Sequence, residues 1–97
     1  MNMREVKDLK DTAEMMTSED YKERFRAEYH QTKIRYERLK KLNTEIEAVS
    51  RIPYGMPCRI NKPKHDCPEG ILRDQQKCMG EYLHLLELRA VIEGIDL

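Results

Sequence analysis

The sequence contains no tryptophan and only one phenylalanine, which excludes a thick aromatic core. No stretch approaches the roughly 18 apolar residues that a membrane-spanning helix needs. The N-terminus also lacks the apolar segment of a secretory signal peptide. From these absences we expect a single small cytoplasmic domain without a membrane segment, because 97 residues suffice for one domain only.

An excess of either charge is also missing, since 18 basic residues balance 18 acidic ones. This balance argues against a general nucleic-acid-binding protein, which carries surplus positive charge. The distribution is uneven, however. Basic residues outnumber acidic ones by nine to three between residues 33 and 64, whereas acidic residues outnumber basic ones by five to three after residue 71. A chain with one basic region and one acidic end can bind anions locally or pair with copies of itself.

The three cysteines are an odd number without a secretion signal, so we expect free thiols in a reducing compartment. Cys58, His65 and Cys67 form the one cluster that resembles a metal site. Zinc prefers four ligands, usually in CxxC-like pairs, and no such pair is present here. The spacing therefore disfavours zinc, and the reducing compartment disfavours a disulfide between the two cysteines.

Catalytic motifs are absent as well. The chain has no glycine-rich phosphate loop, no HExxH motif and no pair of carboxylates at a catalytic spacing. Cys67 and His65 do not replace them, because adjacent loop residues rarely hold a nucleophile and its base in line. His30 and His84 are single histidines on predicted helices. We therefore expect a protein that is not an enzyme and that needs no cofactor.

Hydrophobic periodicity predicts an all-α fold. Residues 1–16 are predicted to form a short amphipathic helix, because apolar residues recur every three or four positions. A long helix is predicted over residues 18–50, with Thr17 as its N-cap and no glycine or proline inside it. Its apolar seam has heptad-like spacing and consists of Phe25, Tyr29, Thr32, Tyr36, Leu39, Asn43 and Ile46.

Prolines mark a loop over residues 51–67, since proline interrupts a helix. A second long helix is predicted over residues 68–95, with Pro68 in its first turn. The apolar residues of this helix cover more than one face, whereas one partner helix covers only one stripe. We therefore expect a long antiparallel helical hairpin that forms homo-oligomers, with the short N-terminal helix packed on it or on a neighbouring chain.

Two residues of the predicted helices are unusual for their positions. A polar residue in a helical seam, such as Asn43, usually fixes the register or the oligomeric state. Gly80 costs about 1 kcal/mol relative to alanine in a helix interior, so a close approach of the two helices is the expected compensation.

Candidate ligand-binding residues gather near the predicted tip of the hairpin. Arginine forks suit phosphate, and a tyrosine ring suits the face of a base or ribose. A solvated helix face remains the alternative interpretation of the basic run over residues 33–41. The predicted set for a nucleotide-like anion is Arg51, Tyr54, Arg59, Lys62, Lys64 and His65, helped by Arg38 and Lys41.

Residues 17–97 resemble small phage and prophage proteins of Gram-positive gut bacteria. The resemblance rests on the segments YKERFRAEYHQTKIRYERLKKL and CPEGILRDQQKCMGEYLHLLELRAVIEGIDL, and in the second on Met79, Tyr82-Leu83, Leu86, Arg89-Ala90 and Glu93-Gly94-Ile95. It covers about four fifths of the chain and supplies no catalytic motif.

The helical hairpin also resembles the architecture of phage anti-defence sponge proteins, which sequester cyclic nucleotide immune signals between subunits. This resemblance implies a homo-oligomer in the host cytoplasm that binds a CBASS- or Thoeris-type signal, either a cyclic nucleotide or a molecule like cyclic ADP-ribose. Two alternatives stay open: a protein–protein inhibitor of a defence effector such as a CRISPR nuclease, and a structural or accessory phage protein. If the basic residues of the tip converge with a tyrosine on one pocket, a nucleotide-like ligand is favoured. If they are scattered over a flat surface, a protein partner or no partner is favoured.

Overall fold

The computed structural model describes residues 6–97, which contain three α-helices and no strand. Helix α1 spans Leu9–Met15, α2 spans Tyr21–Arg51 and α3 spans Glu69–Glu93. The all-α prediction is thereby confirmed. The described part measures 57 × 23 × 22 Å, and its long axis reflects the length of about 46 Å that a 31-residue helix has. None of its helices combines the length and the apolar character needed to cross a lipid bilayer.

Helix α2 begins three residues later than its predicted start. Its N-cap is Asp20, whose carboxylate accepts a hydrogen bond from the Lys22 amide at 3.0 Å. Thr17, the predicted cap, instead donates its hydroxyl proton to the Glu14 carbonyl at 3.1 Å, just after α1. Threonine and aspartate are both common N-cap residues. Thr17 does not cap α2 because its hydroxyl is bonded to the Glu14 carbonyl at the end of α1.

Helix α1 is shorter than the predicted N-terminal helix. It begins with a capping box, in which Asp8 and Asp11 each accept a hydrogen bond from the other's backbone amide. Residues 1–5 of that prediction lie outside the described residues. Thr12 and Met15 are completely buried where α1 packs on α2. The Thr12 hydroxyl donates to a carbonyl one turn earlier at 2.7 Å, so its burial leaves no polar group unsatisfied.

Helices α2 and α3 run antiparallel and bury the main apolar core between them. This core cluster consists of Phe25, Tyr29, Leu83, Leu86, Ala90 and Ile95, with Tyr36 packed against it. It lies in the half of the hairpin remote from the connecting loop, because it joins the first half of α2 to the second half of α3. Gly94 ends α3 with φ +71°, a left-handed conformation that lets Ile95 fold back into the core.

Hydrogen bonds across the seam fix the register of the two long helices. Tyrosine hydroxyls donate to glutamate carboxylates in the pairs Tyr21–Glu93 at 2.8 Å, Tyr29–Glu87 at 2.7 Å and Tyr82–Glu28. Burial, followed by the bond to Glu87, raises the pKa of Tyr29 to about 12. Each of these pairs joins α2 to α3, and together they hold the hairpin at one antiparallel alignment.

The two unusual residues of the sequence both lie at this seam. Asn43 donates hydrogen bonds to the Leu72 carbonyl at 3.1 Å and to the Gln76 side chain at 2.8 Å, which confirms its place in the seam. Gly80 lies against the ring of Tyr36, since a Cβ atom added to the glycine would be 3.4 Å from Tyr36 Cε2. The close helix approach expected at Gly80 is therefore confirmed.

The segment between α2 and α3 contains no regular secondary structure. Pro68 immediately precedes α3, and its carbonyl accepts hydrogen bonds from the amides of Ile71 and Leu72. The helix thus begins at Glu69, one residue after the predicted start, and it ends at Glu93 because Gly94 leaves the helical conformation. We call this end of the molecule, where α2 ends and α3 begins, the loop end.

Candidate ligand-binding site

The connecting loop presents a fully exposed tyrosine. The Met56 amide donates to the Pro53 carbonyl at 3.1 Å, which closes a turn around Tyr54 and Gly55. Gly55 has φ +84°, as the third position of a type II turn requires. The turn directs Tyr54 into solvent, where its exposed fraction reaches 107%. The ring is therefore accessible for stacking but forms no wall of a pocket in one chain.

Two of the predicted loop residues share one carboxylate at the start of α3. Lys62 Nζ lies 2.8 Å and His65 Nε2 lies 3.6 Å from Glu69 Oε1. The hydrogen bond from Lys62 holds the pKa of Glu69 below its ordinary value. His65 Nδ1 lies 2.7 Å from the Cys67 carbonyl, and since a carbonyl only accepts, this nitrogen donates. Glu69 thus offsets part of the positive charge of the loop.

The remaining predicted cations at the loop end differ in their contacts. Arg59 and Lys64 are exposed, and neither forms a hydrogen bond or an ion pair with any residue between positions 6 and 97. At the end of α2, Arg51 Nε donates to Glu47 Oε2 at 2.7 Å. The structure therefore brings the loop residues to one end of the molecule without gathering them into a closed pocket.

A cavity of about 420 Å³ lies between the two helices at the loop end. It is lined by Asn43, Ile46, Glu47, Ser50, Arg51, Glu69 and Arg73. Arg51 and Arg73 come from different helices and flank the same space. Arg73 was missed by sequence reasoning because it belongs to the segment in which acidic residues outnumber basic ones.

Arg38 and Lys41, the helical members of the predicted set, lie elsewhere. Successive residues of an α-helix are 100° apart, so these two residues lie about 200° and 140° round α2 from Tyr36, which faces α3. Both are exposed. Arg38 lines a shallow depression together with His30, Lys33 and Val6, which lies just before α1. The structure does not place this pair with the cations of the loop end.

A larger groove, about 840 Å³, follows one side of the seam between α2 and α3; we call it the seam groove. Its lining consists of Tyr36, Asn43, Thr44, Glu47, Arg73, Gln76, Lys77, Gly80, Glu81, His84 and Leu85. It shares Asn43, Glu47 and Arg73 with the loop-end cavity. The two spaces therefore adjoin each other along the hairpin.

The seam groove combines a ring, an imidazole and two available cations. Within the described part of the chain, Arg73 and Lys77 make no hydrogen bond or ion pair. Tyr36 is half-buried and touches Gly80 through the edge that carries its hydroxyl. Sequence reasoning treated Tyr36 as a packing residue. The signal it missed is the spacing of Arg73, Lys77 and His84, which places them along one side of α3.

The cysteines contribute no visible site in the described region. All three are free thiols, and the Cys58 thiol donates to the Ile60 carbonyl at 2.9 Å. Between residues 6 and 97, no three side chains of the histidine, cysteine, aspartate or glutamate type are grouped so as to hold a metal ion.

The outward face of α3 carries apolar side chains that nothing covers in the described structure. The exposed fractions are 56% for Leu85, 46% for Leu88, 83% for Val91 and 82% for Ile92. Among the described helices, α1 packs on α2 and not on α3. This outer α3 face therefore remains available for a partner.

Neither a curated protein nor a solved structure matches the chain. The sequence model of one family, described as Sequestin, matches residues 19–92. The match includes all of α2, the whole connecting loop and α3 up to its penultimate residue, and it covers about three quarters of the chain. The chain therefore belongs to the Sequestin family.

Proposed function

We propose that the protein binds and sequesters a nucleotide-derived immune signal of the CBASS or Thoeris type as a homo-oligomer, and thereby acts as a phage anti-defence protein in the host cytoplasm. The name of its family denotes sequestration. In this proposal the protein is not an enzyme, because sequestration requires affinity and copy number without bond breaking.

The observation that carries the proposal is the pair of arginines around the loop-end cavity. Arg51 from α2 and Arg73 from α3 flank a space of about 420 Å³. Guanidinium groups form paired hydrogen bonds that match phosphate oxygens. The bond of Arg51 to Glu47 does not prevent this role. Both side chains are well exposed, at 79% and 61%, and such surface pairs contribute little energy, so a phosphate can replace the carboxylate.

The magnitude of the expected affinity supports assembly. One chain offers four cations without a strong competing partner at the loop end: Arg51, Arg59, Lys64 and Arg73. On an exposed surface each charge-assisted hydrogen bond contributes about 1 kcal/mol or less, whereas at a ligand buried between copies it contributes about 1.5–3 kcal/mol, so four give about 6–12 kcal/mol before the cost of association. Nanomolar binding needs about 12 kcal/mol. A ligand held between copies would contact more than one such set and reach that range.

A second function is favoured by a different observation. The outer α3 face exposes Leu85, Leu88, Val91 and Ile92, and the loop residues Arg59, Lys62 and Lys64 are exposed as Tyr54 is. These features suit a protein partner, so the alternative is a protein–protein inhibitor of a host defence effector. In the first function a small molecule copurifies with the protein, and in the second a host protein does.

Native mass spectrometry tests the proposal. The protein is purified from cells that express a defence nucleotide synthase and, as the control, from cells that lack the synthase. We expect an oligomer that carries a small molecule only in the first preparation, and tandem fragmentation identifies that molecule. If calorimetry with cyclic dinucleotides, cyclic trinucleotides and cyclic ADP-ribose variants shows no binding, and a host protein is recovered in stoichiometric amount, the inhibitor function replaces the sequestering one.

A further inference from the structure

We infer that the seam groove binds a nucleobase that carries an exocyclic amino group, with Tyr36 beside the base and Glu81 accepting a hydrogen bond from that amino group. The inference rests on the proposed function and goes beyond it, because it assigns the base to a site separate from the loop end and limits the class of base.

The seam groove has a volume of about 840 Å³, which leaves room for a flat ring beside Tyr36. A Cβ atom at position 80 would be 3.4 Å from Tyr36 Cε2, so a side chain longer than that of alanine would collide with the tyrosine or narrow the groove. The contact between Gly80 and Tyr36 is through the hydroxyl-bearing edge of the ring. Bases that leave a nucleic-acid stack are commonly bound against aromatic side chains and read at their edges. His84, in the next turn of α3, adds a second flat group to the same lining.

The class of base follows from the carboxylates of the groove. Glu47 accepts a hydrogen bond from Arg51. Glu81 has no hydrogen bond or ion pair with any residue that the structure describes. An ionised carboxylate only accepts hydrogen bonds. Adenine and cytosine offer an amino donor on the edge where uracil or thymine offers a carbonyl oxygen. Glu81 therefore favours an amino-bearing base and disfavours uracil.

The phosphate position follows from the cations of α3. Lys77 and Arg73 lie one and two turns before Gly80, so Arg73 is about 10 Å from Gly80 along the helix. Arg73 lines both the seam groove and the loop-end cavity. A nucleotide that extends along the seam can thus place its base beside Tyr36 and its phosphate at Arg73. Inorganic phosphate lacks the base, so it gains nothing from Tyr36 or Glu81.

Calorimetry with the full chain and simple probes tests this inference. Wild-type protein should bind AMP about tenfold more tightly than UMP, and inorganic phosphate most weakly. Glu81→Ala should weaken AMP binding about tenfold and leave UMP binding unchanged, as expected for one lost hydrogen bond to a charged group. The matched control Glu37→Ala, which removes an exposed carboxylate of α2 outside the seam groove, should change neither affinity.

Equal affinities for AMP and UMP, or an equal effect of Glu81→Ala on both, would overturn the inference. So would the absence of AMP binding at millimolar concentration. Failure here is distinguishable from failure of the proposed function. If protein purified from synthase-expressing cells still carries its ligand after Glu81→Ala and Gly80→Leu, with circular dichroism showing both variants folded, sequestration stands and the base site lies elsewhere.

Discussion

Asn43 and Gln76 are joined across the helix seam by a 2.8 Å hydrogen bond between their side-chain amides. The same nitrogen of Asn43 also donates to the Leu72 carbonyl at 3.1 Å, so both of its protons are used. These two acceptors lie one turn apart on α3. Sliding the helices by one turn would break both bonds, and the pair therefore specifies the register in the polar half of the seam.

Asn43→Ala should lower the free energy of unfolding by about 1–2 kcal/mol, because each intramolecular hydrogen bond contributes about 0.5–1.5 kcal/mol. Urea denaturation followed by circular dichroism measures the change. Thr44→Ala is the matched control, since the Thr44 hydroxyl bonds to the Lys40 carbonyl of its own helix and makes no hydrogen bond across the seam between α2 and α3 of the described chain. Equal effects of the two substitutions would show that the seam hydrogen bonds do not stabilise the hairpin.

Gly80→Ala should raise the free energy of unfolding by about 0.5–1 kcal/mol, because alanine is the better helix former. Its Cβ atom would meet Tyr36 at 3.4 Å, which is an ordinary contact distance. Gly80→Val should instead destabilise the protein, since its extra methyl groups overlap the ring and such overpacking costs about 1–3 kcal/mol. Thermal melting of both variants gives the comparison. If Gly80→Ala lowers the melting temperature instead, the Tyr36 ring lies too close to position 80 to accommodate a methyl group.

Stability should fall between about pH 10 and about pH 12 through the titration of Tyr29. Its pKa is raised to about 12 in the folded protein, whereas an unfolded tyrosine titrates near 10. Folding is favoured by this group below pH 10, and the contribution is lost as the pH rises to 12, because only the unfolded chain releases the proton in that window. The loss amounts to about 2 kcal/mol.

Tyr29→Phe should remove this part of the pH dependence. Urea titrations at a series of pH values measure it. Tyr54→Phe is the control, since Tyr54 is fully exposed and should leave the profile as in the unsubstituted protein. If the two variants give the same slope above pH 10, Tyr29 does not carry the effect.

Leu88→Lys combined with Ile92→Lys should convert the protein from an oligomer at micromolar concentration to a monomer of 11.6 kDa. Both side chains are exposed on the outer α3 face, so in the proposed homo-oligomer their replacement would remove an apolar contact between copies without removing core packing. Light scattering gives the mass, and the melting temperature shows whether the chain still folds. A well-folded monomer before any substitution would exclude assembly through this face.

Arg51→Ala and Arg59→Ala should each weaken binding of a phosphate-bearing signal about ten- to hundredfold, since each removes one charge-assisted hydrogen bond of about 1.5–3 kcal/mol. Lys22→Ala is the control, because that exposed lysine lies at the start of α2, remote from the loop end. Tyr54→Ala should weaken nucleotides far more than inorganic phosphate if the base stacks on Tyr54, and should change neither affinity if the base lies beside Tyr36. Calorimetry at two salt concentrations should also show weaker binding at higher salt. If Lys22→Ala weakens binding and the two arginine substitutions do not, the loop end is not the binding site.

The heptad-like spacing of Tyr29, Tyr36 and Asn43 was sufficient to predict that α2 packs on a second helix. The partners were not predictable in the same way. Tyr29 meets Glu87, 58 positions away in the chain, and Asn43 meets Gln76, 33 positions away, and pairings over such distances are not encoded in the local pattern.

The candidate site was predictable only in part. The prolines predict a loop that carries cations, yet local composition does not show that Lys62 pairs with Glu69 or that Arg38 lies on the α1 side of α2. Arg73 and Lys77 become neighbours of Tyr36 only through the antiparallel docking of α3. A groove formed by two distant segments has no signature within either segment alone.

The position of the core cluster divides the hairpin into two ends of unequal local stability. Phe25, Leu86 and Ala90 pack in the half remote from the loop, whereas the half toward the loop is held mainly by Asn43 and by the buried Ile46. Amide hydrogens near Leu86 should therefore exchange only through global unfolding, and those near the loop through local openings of much lower free energy. A molecule bound at the loop end would order the half toward the loop and slow the exchange of its amide hydrogens. The exchange rates in the half that contains the core cluster would change less.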